Sequence, residues 1–153
     1  IKISLMLFIY RYLAIFLFPI FIIIIFLRSF FNKEDKKRFK EKIFSSYFKP
    51  NRDNVKKLIW FHASSIGECL SILPLIGKLN KQNKNLSFLI TSVTLSSSKV
   101  LEKKLNQYPN TTHRFFPLDL EKLSENFLNA WKPDLVFLDK SNVYPLSLAK
   151  YLP

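Results

Sequence analysis

A run of 23 residues near the N-terminus, Leu5–Leu27, contains a single charged side chain, that of Arg11. The part without charge, Tyr12–Leu27, has 16 residues, whereas crossing a bilayer takes about 20 apolar residues. Counting from Leu5 restores sufficient length, because the aliphatic stem of Arg11 lets its guanidinium reach the headgroups. The run therefore predicts an uncleaved membrane anchor over residues 1–31, with a monotopic interfacial helix as the alternative.

A cleaved signal peptide is the other alternative for this run. Small residues of the A-x-A kind, which would mark a cleavage site, do not follow it; the next residues are Arg28, Ser29, Phe30 and Phe31. Pro19 would kink a helix here, but proline is tolerated inside membrane helices. We therefore expect the apolar run to remain part of the protein.

Basic residues are concentrated in the stretch that follows the apolar run. Between Arg28 and Lys57 there are 11 Lys and Arg residues and four Asp and Glu residues. Such an excess marks the cytoplasmic side of a membrane segment, so the rest of the chain is expected in the cytoplasm and the N-terminus outside.

Residues 32–57 form the basic segment, and apolar side chains recur within it at helical spacing (Phe39, Ile43, Phe44, Tyr47, Phe48). This pattern predicts an amphipathic basic helix over 36–48 that lies on anionic membrane lipids. The expected membrane contacts are Arg28, Lys36, Lys37, Arg38 and Lys40. A solvated linker is the alternative, and a nucleic-acid patch is disfavoured because lipid phosphates lie closer.

Composition excludes several classes of protein. The chain has 153 residues, a net charge of +13 and 48% hydrophobic residues, which is one domain's length and too apolar for a disordered basic tail. The single cysteine, Cys69, excludes an internal disulfide, and no Cys/His cluster indicates a metal site. The two glycines, Gly67 and Gly77, are too few for a phosphate-binding glycine loop.

Residues 58–153 alternate between strand and helix patterns. Short apolar runs at 58–62, 86–91, 113–116 and 135–139 predict strands, and each is followed by a helical pattern, around 70–79, 97–105, 120–131 and 145–151. Ser64 and Ser65, and the run Ser96–Ser98, are candidate helix caps. The alternation predicts an α/β fold with a Rossmann-like parallel sheet.

Ligands of open α/β sheets bind beyond the carboxyl ends of the strands. Polar residues follow each predicted strand: His62, Ser64, Ser65, Gly67 and Glu68; Thr91, Ser92 and Thr94; Pro117 and Asp119; Asp139, Lys140, Ser141 and Asn142. Glu68 falls in the first turn of a helix, where the dipole favours the carboxylate form that a general base requires. A capping role is the simpler alternative for Glu68. His62 could instead be a structural strand-end histidine, and Cys69 a small buried helix residue.

The string His62-Ala63-Ser64-Ser65-Ile66-Gly67-Glu68 resembles the H-A-x-S-x-G-E signature of Kdo (3-deoxy-D-manno-octulosonic acid) transferases of lipopolysaccharide biosynthesis. Further stretches resemble the N-terminal half of that family in order along the chain: the apolar anchor, residues 38–44, Ile90–Thr94, Phe116–Asp119 and Trp131–Val136.

The resemblance implies the N-terminal, acceptor-binding half of a GT-B glycosyltransferase at the cytoplasmic side of the bacterial inner membrane. It implies that Glu68 is the general base, CMP-Kdo the donor substrate and lipid A precursor (lipid IVA) the acceptor. No cofactor is expected, and no residue is predicted as a metal ligand. The implied acceptor-binding residues are His62, Ser64, Ser65, Gly67, Thr91, Thr94, Lys140 and Ser141. Since the C-terminal donor domain is not in these 153 residues, we expect the chain alone to be inactive.

One stretch departs from the family pattern. The family has an acidic-x-acidic motif after the fourth strand, and Lys140, Ser141 and Asn142 stand there in this chain. A lysine in the cleft would alter the charge around Glu68. This departure favours the alternative of a non-catalytic, membrane-anchored lipid-binding module. A truncated remnant is a further alternative, which an apolar, unsatisfied face towards the second domain would favour.

Overall fold

The computed structural model describes residues 2–48 and 56–138. Helix α1 (Lys2–Phe30) is followed by two short 3-10 turns (Phe39–Lys42 and Ser45–Phe48). Four strands then alternate with three helices: β1 (Lys57–Ala63), α2 (Ile66–Gln82), β2 (Leu86–Ser92), α3 (Leu95–Lys104), β3 (Thr111–Phe115), α4 (Glu121–Trp131) and β4 (Leu135–Leu138). A third 3-10 turn, Leu105–Gln107, links α3 to β3. The predicted helix at 145–151 lies outside the described residues.

The four strands form one parallel sheet in the order β3-β2-β1-β4. Strand β1 lies centrally, and its residue His62 is in register with Thr91 of β2 and Leu138 of β4. The order reverses at β1, since β2 and β4 flank it on opposite sides, and a ligand crevice is expected at such a point. The predicted Rossmann-like α/β fold is confirmed.

Each face of the sheet carries its own apolar core. Ile59 and Phe61 of β1 pack with Leu73 and Ile76 of α2 on one face. Leu58 and Trp60 pack with Phe127 and Trp131 of α4 on the other. Burial of β1 side chains on both faces explains why its sequence is a continuous apolar run rather than an alternating one.

Helix α1 contains the one stretch of the described residues that is long and apolar enough to cross a membrane, Phe8–Phe30. A third apolar cluster joins it to the basic segment, because Ile25 of α1 packs with Phe39 and Ile43. The continuous amphipathic helix predicted over 36–48 is wrong: two 3-10 turns replace it, and Phe39 and Ile43 face the protein instead of lipid.

Helix caps explain where α2 and α3 begin. Ser65 caps α2 as predicted, since its side chain accepts a hydrogen bond from the backbone amide of Glu68. The cap of α3 is Thr94, whose side chain accepts a hydrogen bond from the backbone amide of Ser97. The Ser96–Ser98 run was the wrong candidate, because these serines lie inside the first turns of α3.

Candidate functional site

Glu68 lies at the N-terminus of α2, beyond the carboxyl end of β1. Its carboxylate accepts hydrogen bonds from the amide of Ser64 (2.8 Å to Oε2) and the hydroxyl of Ser65 (2.7 Å to Oε1). Both donors and the N-terminal end of the helix dipole direct positive partial charge at the carboxylate. The arrangement is a variant of the capping box, so Glu68 combines a capping geometry with a position at the ligand-binding edge of the sheet.

His62 is buried at the end of β1 and is held by two neighbours on the sheet. Its Nδ1 lies 2.9 Å from Oγ1 of Thr91, and that oxygen also accepts a 2.8 Å hydrogen bond from the indole of Trp60. Burial lowers the pKa of His62 to about 4, although the charge of Glu68 opposes the shift. The imidazole is therefore neutral near pH 7 and offers one donor and one acceptor nitrogen.

A cleft of about 440 Å³ opens at this edge of the sheet. It is lined by the strand-end residues together with α1 and the basic segment: Ile25, Arg28, Glu34, Lys42, His62, Ser64, Val93, Thr94, Phe116, Pro117, Leu118 and Asp119. Glu68 adjoins the cleft through its hydrogen bond to Ser64. The structure thus brings the end of the apolar helix and the predicted catalytic motif to one place.

Three charged side chains cross one wall of the cleft. Glu34 is buried and bridges two cations, accepting from Nε of Arg28 at 3.0 Å and from Nζ of Lys42 at 2.7 Å. Lys42 is also buried and donates to the carbonyl of Val93 at 2.8 Å. Glu34 thus supplies the anionic partner that a buried ammonium needs at this wall of the cleft.

A second charged cluster, centred on Arg38, lies where the basic segment covers the free edge of β3. The guanidinium donates to Glu41, to Glu102 and to the carbonyl of His113. Glu41 in turn accepts, at Oε2, a 3.0 Å hydrogen bond from the backbone amide of Phe115. These bonds satisfy backbone groups of an edge strand that would otherwise be exposed to pairing.

His113 completes the Arg38 cluster. Its Nδ1 lies 3.2 Å from Nη1 of Arg38, which can only donate, so the ring proton resides on Nε2 and is donated to Oγ of Ser92 at 2.9 Å. Burial and the charges of Arg38 and Arg114 lower the pKa of His113 to about 3. The histidine is therefore neutral and serves the fold.

The predicted acceptor-binding residues divide into three groups. His62, Ser64 and Thr94 line the cleft, and Ser65 and Gly67 lie beside it on the α2 N-terminus. Thr91 is fully buried and is linked to the site through its hydrogen bond to His62, and its role in acceptor binding stays a prediction. Lys140 and Ser141 lie outside the described residues.

The predicted membrane contacts also divide. Lys36, Lys37 and Lys40 are exposed, and their contact with lipid stays a prediction. Arg38 instead donates to Glu102 within the protein, and Arg28 pairs with Glu34 at the cleft.

Cys69 is fully buried, and burial raises the pKa of its thiol to about 11, which fits the small helix residue that the sequence suggested.

Sequence reasoning missed Glu34, Glu41 and Lys42 as functional or structural groups. They were counted as charges in a basic stretch, and Glu41 and Lys42 also fell within residues 38–44 of the family resemblance, but no individual role was predicted for them. Glu41 and Lys42 bond to Val93, Phe115 and Leu118, more than 50 positions away, so local spacing carried no signal for these contacts. Glu34 bonds to Arg28 and Lys42, six and eight positions away, but no helical or strand repeat relates these three residues. Within the described residues, no group of three or more His, Cys, Asp or Glu side chains could hold a metal ion.

Comparisons with known proteins agree on one family. Residues 36–151 match the family model for the N-terminal domain of 3-deoxy-D-manno-octulosonic-acid transferase (kdotransferase). Similar curated proteins include the 3-deoxy-D-manno-octulosonic acid transferases of Rickettsia bellii (40% identical over 89% of this chain) and Rickettsia prowazekii (30% identical over 95%). A probable mitochondrial 3-deoxy-D-manno-octulosonic acid transferase of Arabidopsis thaliana is 36% identical over 58% of the chain and 19% of its own length.

The chain covers only part of the two rickettsial proteins. It spans 31% of the Rickettsia bellii protein and 40% of the Rickettsia prowazekii protein. No solved structure matches the chain significantly.

Proposed function

The chain belongs to the 3-deoxy-D-manno-octulosonic-acid transferase family, and on this premise we propose that it forms the acceptor-binding part of an inverting glycosyltransferase. The proposed reaction transfers Kdo from CMP-Kdo to lipid IVA, the lipid A precursor, at the cytoplasmic face of the bacterial inner membrane. A further domain, as the greater length of the relatives suggests, would bind CMP-Kdo. The proposed reaction uses no cofactor or metal ion.

The observation that carries this proposal is the fixed carboxylate of Glu68 beside a cleft that α1 also lines. In the proposed step, an acceptor hydroxyl oxygen bonds to the anomeric carbon of Kdo as the bond from that carbon to the CMP phosphate oxygen breaks. The hydroxyl proton passes to Glu68. Each carboxylate oxygen has two lone pairs, so the bonds from Ser64 and Ser65 leave acceptor capacity for that proton.

The charges of the cleft support a lipid acceptor that carries phosphates. Arg28 and Lys42 line the cleft, and Ile25 places the end of the apolar helix against the same space. The Arg28 side chain is half exposed, so its guanidinium is accessible from the cleft. A guanidinium suits phosphate recognition because its donors match the geometry of two phosphate oxygens.

The test uses a chimera in which this chain replaces the corresponding N-terminal part of the Rickettsia bellii relative. Kdo transfer from CMP-Kdo to lipid IVA is measured for the chimera and for its Glu68→Gln variant. Glutamine retains the capping geometry but cannot take the proton, so transfer should fall by about 10²–10⁴-fold while the unfolding midpoint barely moves. Glu125→Gln, on exposed α4 surface, is the matched control and should retain transfer. Full activity of the Glu68→Gln chimera would remove Glu68 from the base role.

The capping bonds of Glu68 favour a second candidate, a non-catalytic lipid-binding module. This candidate predicts that the chimera shows no transfer, while the 153-residue chain binds vesicles containing lipid IVA more tightly than vesicles without it. Transfer by the chimera would exclude it as the main function.

A further inference from the structure

Helix α1 contacts the soluble domain along nearly its whole length. Near its start, the hydroxyl of Tyr10 donates to the carbonyl of Asp119 (2.6 Å), and Arg11 pairs with Glu121 (2.9 Å). Near its end, Ile25 is buried with the basic segment, and Arg28 pairs with Glu34. Both ends of the apolar run therefore touch the same domain.

The contacts form one stripe along the helix. Tyr10, Ala14, Phe18, Ile22 and Ile25 follow each other at intervals of three or four residues and are buried or half-buried. The remaining surface of α1 is apolar and exposed, with Phe16 at 78% and Phe30 at 79% exposure. Tyr10 and Arg11 bond to the domain from this side of the helix, whereas Tyr12, 63% exposed, lies among the aliphatic and aromatic side chains of the outer surface.

This docking conflicts with a membrane-spanning orientation. Arg28 lies 18 positions after Tyr10, which at about 1.5 Å per residue is about 27 Å of helix. In a membrane-spanning helix with Arg28 at the headgroups, Tyr10 would lie near the far side of a hydrocarbon core about 30 Å thick. Even if the helix were tilted by about 40° from the membrane normal, Tyr10 would lie about 20 Å below the headgroups. Asp119 and Glu121, just before and at the start of α4, would then be immersed in hydrocarbon, where charged groups are costly.

We propose that α1 is monotopic: it lies in the plane of one leaflet, with its exposed apolar surface in lipid and its docked stripe on the domain. The occupant of this surface is the acyl region of a phospholipid leaflet, and anionic headgroups face the exposed Lys36, Lys37 and Lys40. The N-terminus then lies on the same side of the membrane as the domain, opposite to the orientation expected from the basic residues alone. The inference does not depend on the transferase chemistry.

The first test locates the N-terminus. The full chain, with an epitope tag before Ile1, is synthesised in the presence of preformed vesicles of phosphatidylethanolamine and phosphatidylglycerol, so that the domain stays outside. A monotopic helix leaves the tag open to added protease, with or without detergent. A tag that is protected until detergent is added overturns the proposal, and so does a chain that does not float with the vesicles.

The second test measures the docking in the same vesicles by cross-linking. In a Cys69→Ala background, Arg11→Cys is combined with Glu121→Cys and treated with a short bis-maleimide. The matched control combines Phe16→Cys with Glu121→Cys, since Phe16 lies on the exposed surface of α1. Cross-linking of the first pair and not of the control supports the proposal. Absence of cross-linking in the first pair, or equal cross-linking in both, overturns it, and the tag experiment decides the orientation should a cysteine variant fail to fold.

Discussion

The proposed catalytic motif around Glu68 and the basic segment are both polar and both reach the same cleft, but they are held in different ways. Around Glu68, the hydrogen bonds join residues at most four positions apart. In the basic segment, Arg38 and Lys42 reach partners between 51 and 75 positions away. The first is a helix cap that five residues can build alone; the second forms only when the segment packs on the sheet.

The difference separates two uses of charge. The lysines at 36, 37 and 40 are exposed and accessible to a membrane surface. Arg38 and Glu41 instead pair at the edge of β3, and Lys42 pairs with Glu34 at one wall of the cleft. We therefore expect substitutions in the basic segment to range from severe to neutral according to burial, while substitutions in the cap have moderate effects on folding.

The largest effect on stability is expected from Glu41→Ala. The change leaves Arg38 and the amide of Phe115 without their buried carboxylate partner, so the free energy of unfolding should fall by about 3–5 kcal/mol. Urea unfolding measures the change. Glu125→Ala, which removes an exposed carboxylate, is the control and should stay within about 0.5 kcal/mol. Equal effects of the two variants would erase the distinction drawn between buried and exposed charges.

Acid should weaken the Arg38 cluster next. The folded-state pKa of His113 is about 3, below the ordinary value of about 6.5, so the unfolded chain takes up the proton first. The contribution of neutral His113 to the free energy of unfolding is therefore complete above pH 6.5. It falls as the pH is lowered, by about 2 kcal/mol between pH 6.5 and 4.5. Urea unfolding at several pH values of the parent and of His113→Gln measures this; the variant should lose less stability over that range by that amount. Parallel curves would contradict the assignment.

A moderate effect is expected from the local cap. Ser65→Ala removes the acceptor for the Glu68 amide and the hydroxyl that holds its carboxylate, and should cost about 1 kcal/mol. Ser71→Ala makes the same substitution in the same helix; it removes an exposed hydrogen bond to the carbonyl of Glu68 but no cap of a helix amide, and should stay within about 0.5 kcal/mol. Thermal or urea unfolding distinguishes the two, and an equal cost would mean that the cap contributes nothing specific.

The smallest effect on folding is expected from the exposed lysines. Lys40→Ala should leave the unfolding midpoint unchanged but weaken binding to vesicles with anionic lipid by about 1 kcal/mol, about fivefold in affinity. Lys103→Ala, on exposed α3 surface, is the charge-matched control. Sedimentation with vesicles measures both; identical binding of the two variants would mean that Lys40 does not face the membrane.

Local patterns predicted the elements well because each depends on neighbouring residues. Continuous apolar runs located β1 and β2 to within a residue or two, and Ser65 with Glu68 located the start of α2. Helical spacing failed at 36–48, where Phe39 and Ile43 meet α1 and the backbone turns too tightly for an α-helix. Periodicity reports which side chains are apolar and leaves open what they pack against.

The sequence by itself determined the order of strands and helices, the apolar helix, the capped carboxylate of Glu68 and the family. Tertiary structure alone decided that Glu34 bridges Arg28 and Lys42, that Arg38 and Glu41 cover the β3 edge, and that α1 docks from Tyr10 to Arg28. The reason is physical. Helix caps and strand runs arise from bonds between near neighbours, whereas the partner of a charge is set by which distant elements pack together, and a charge has no periodicity that encodes its partner.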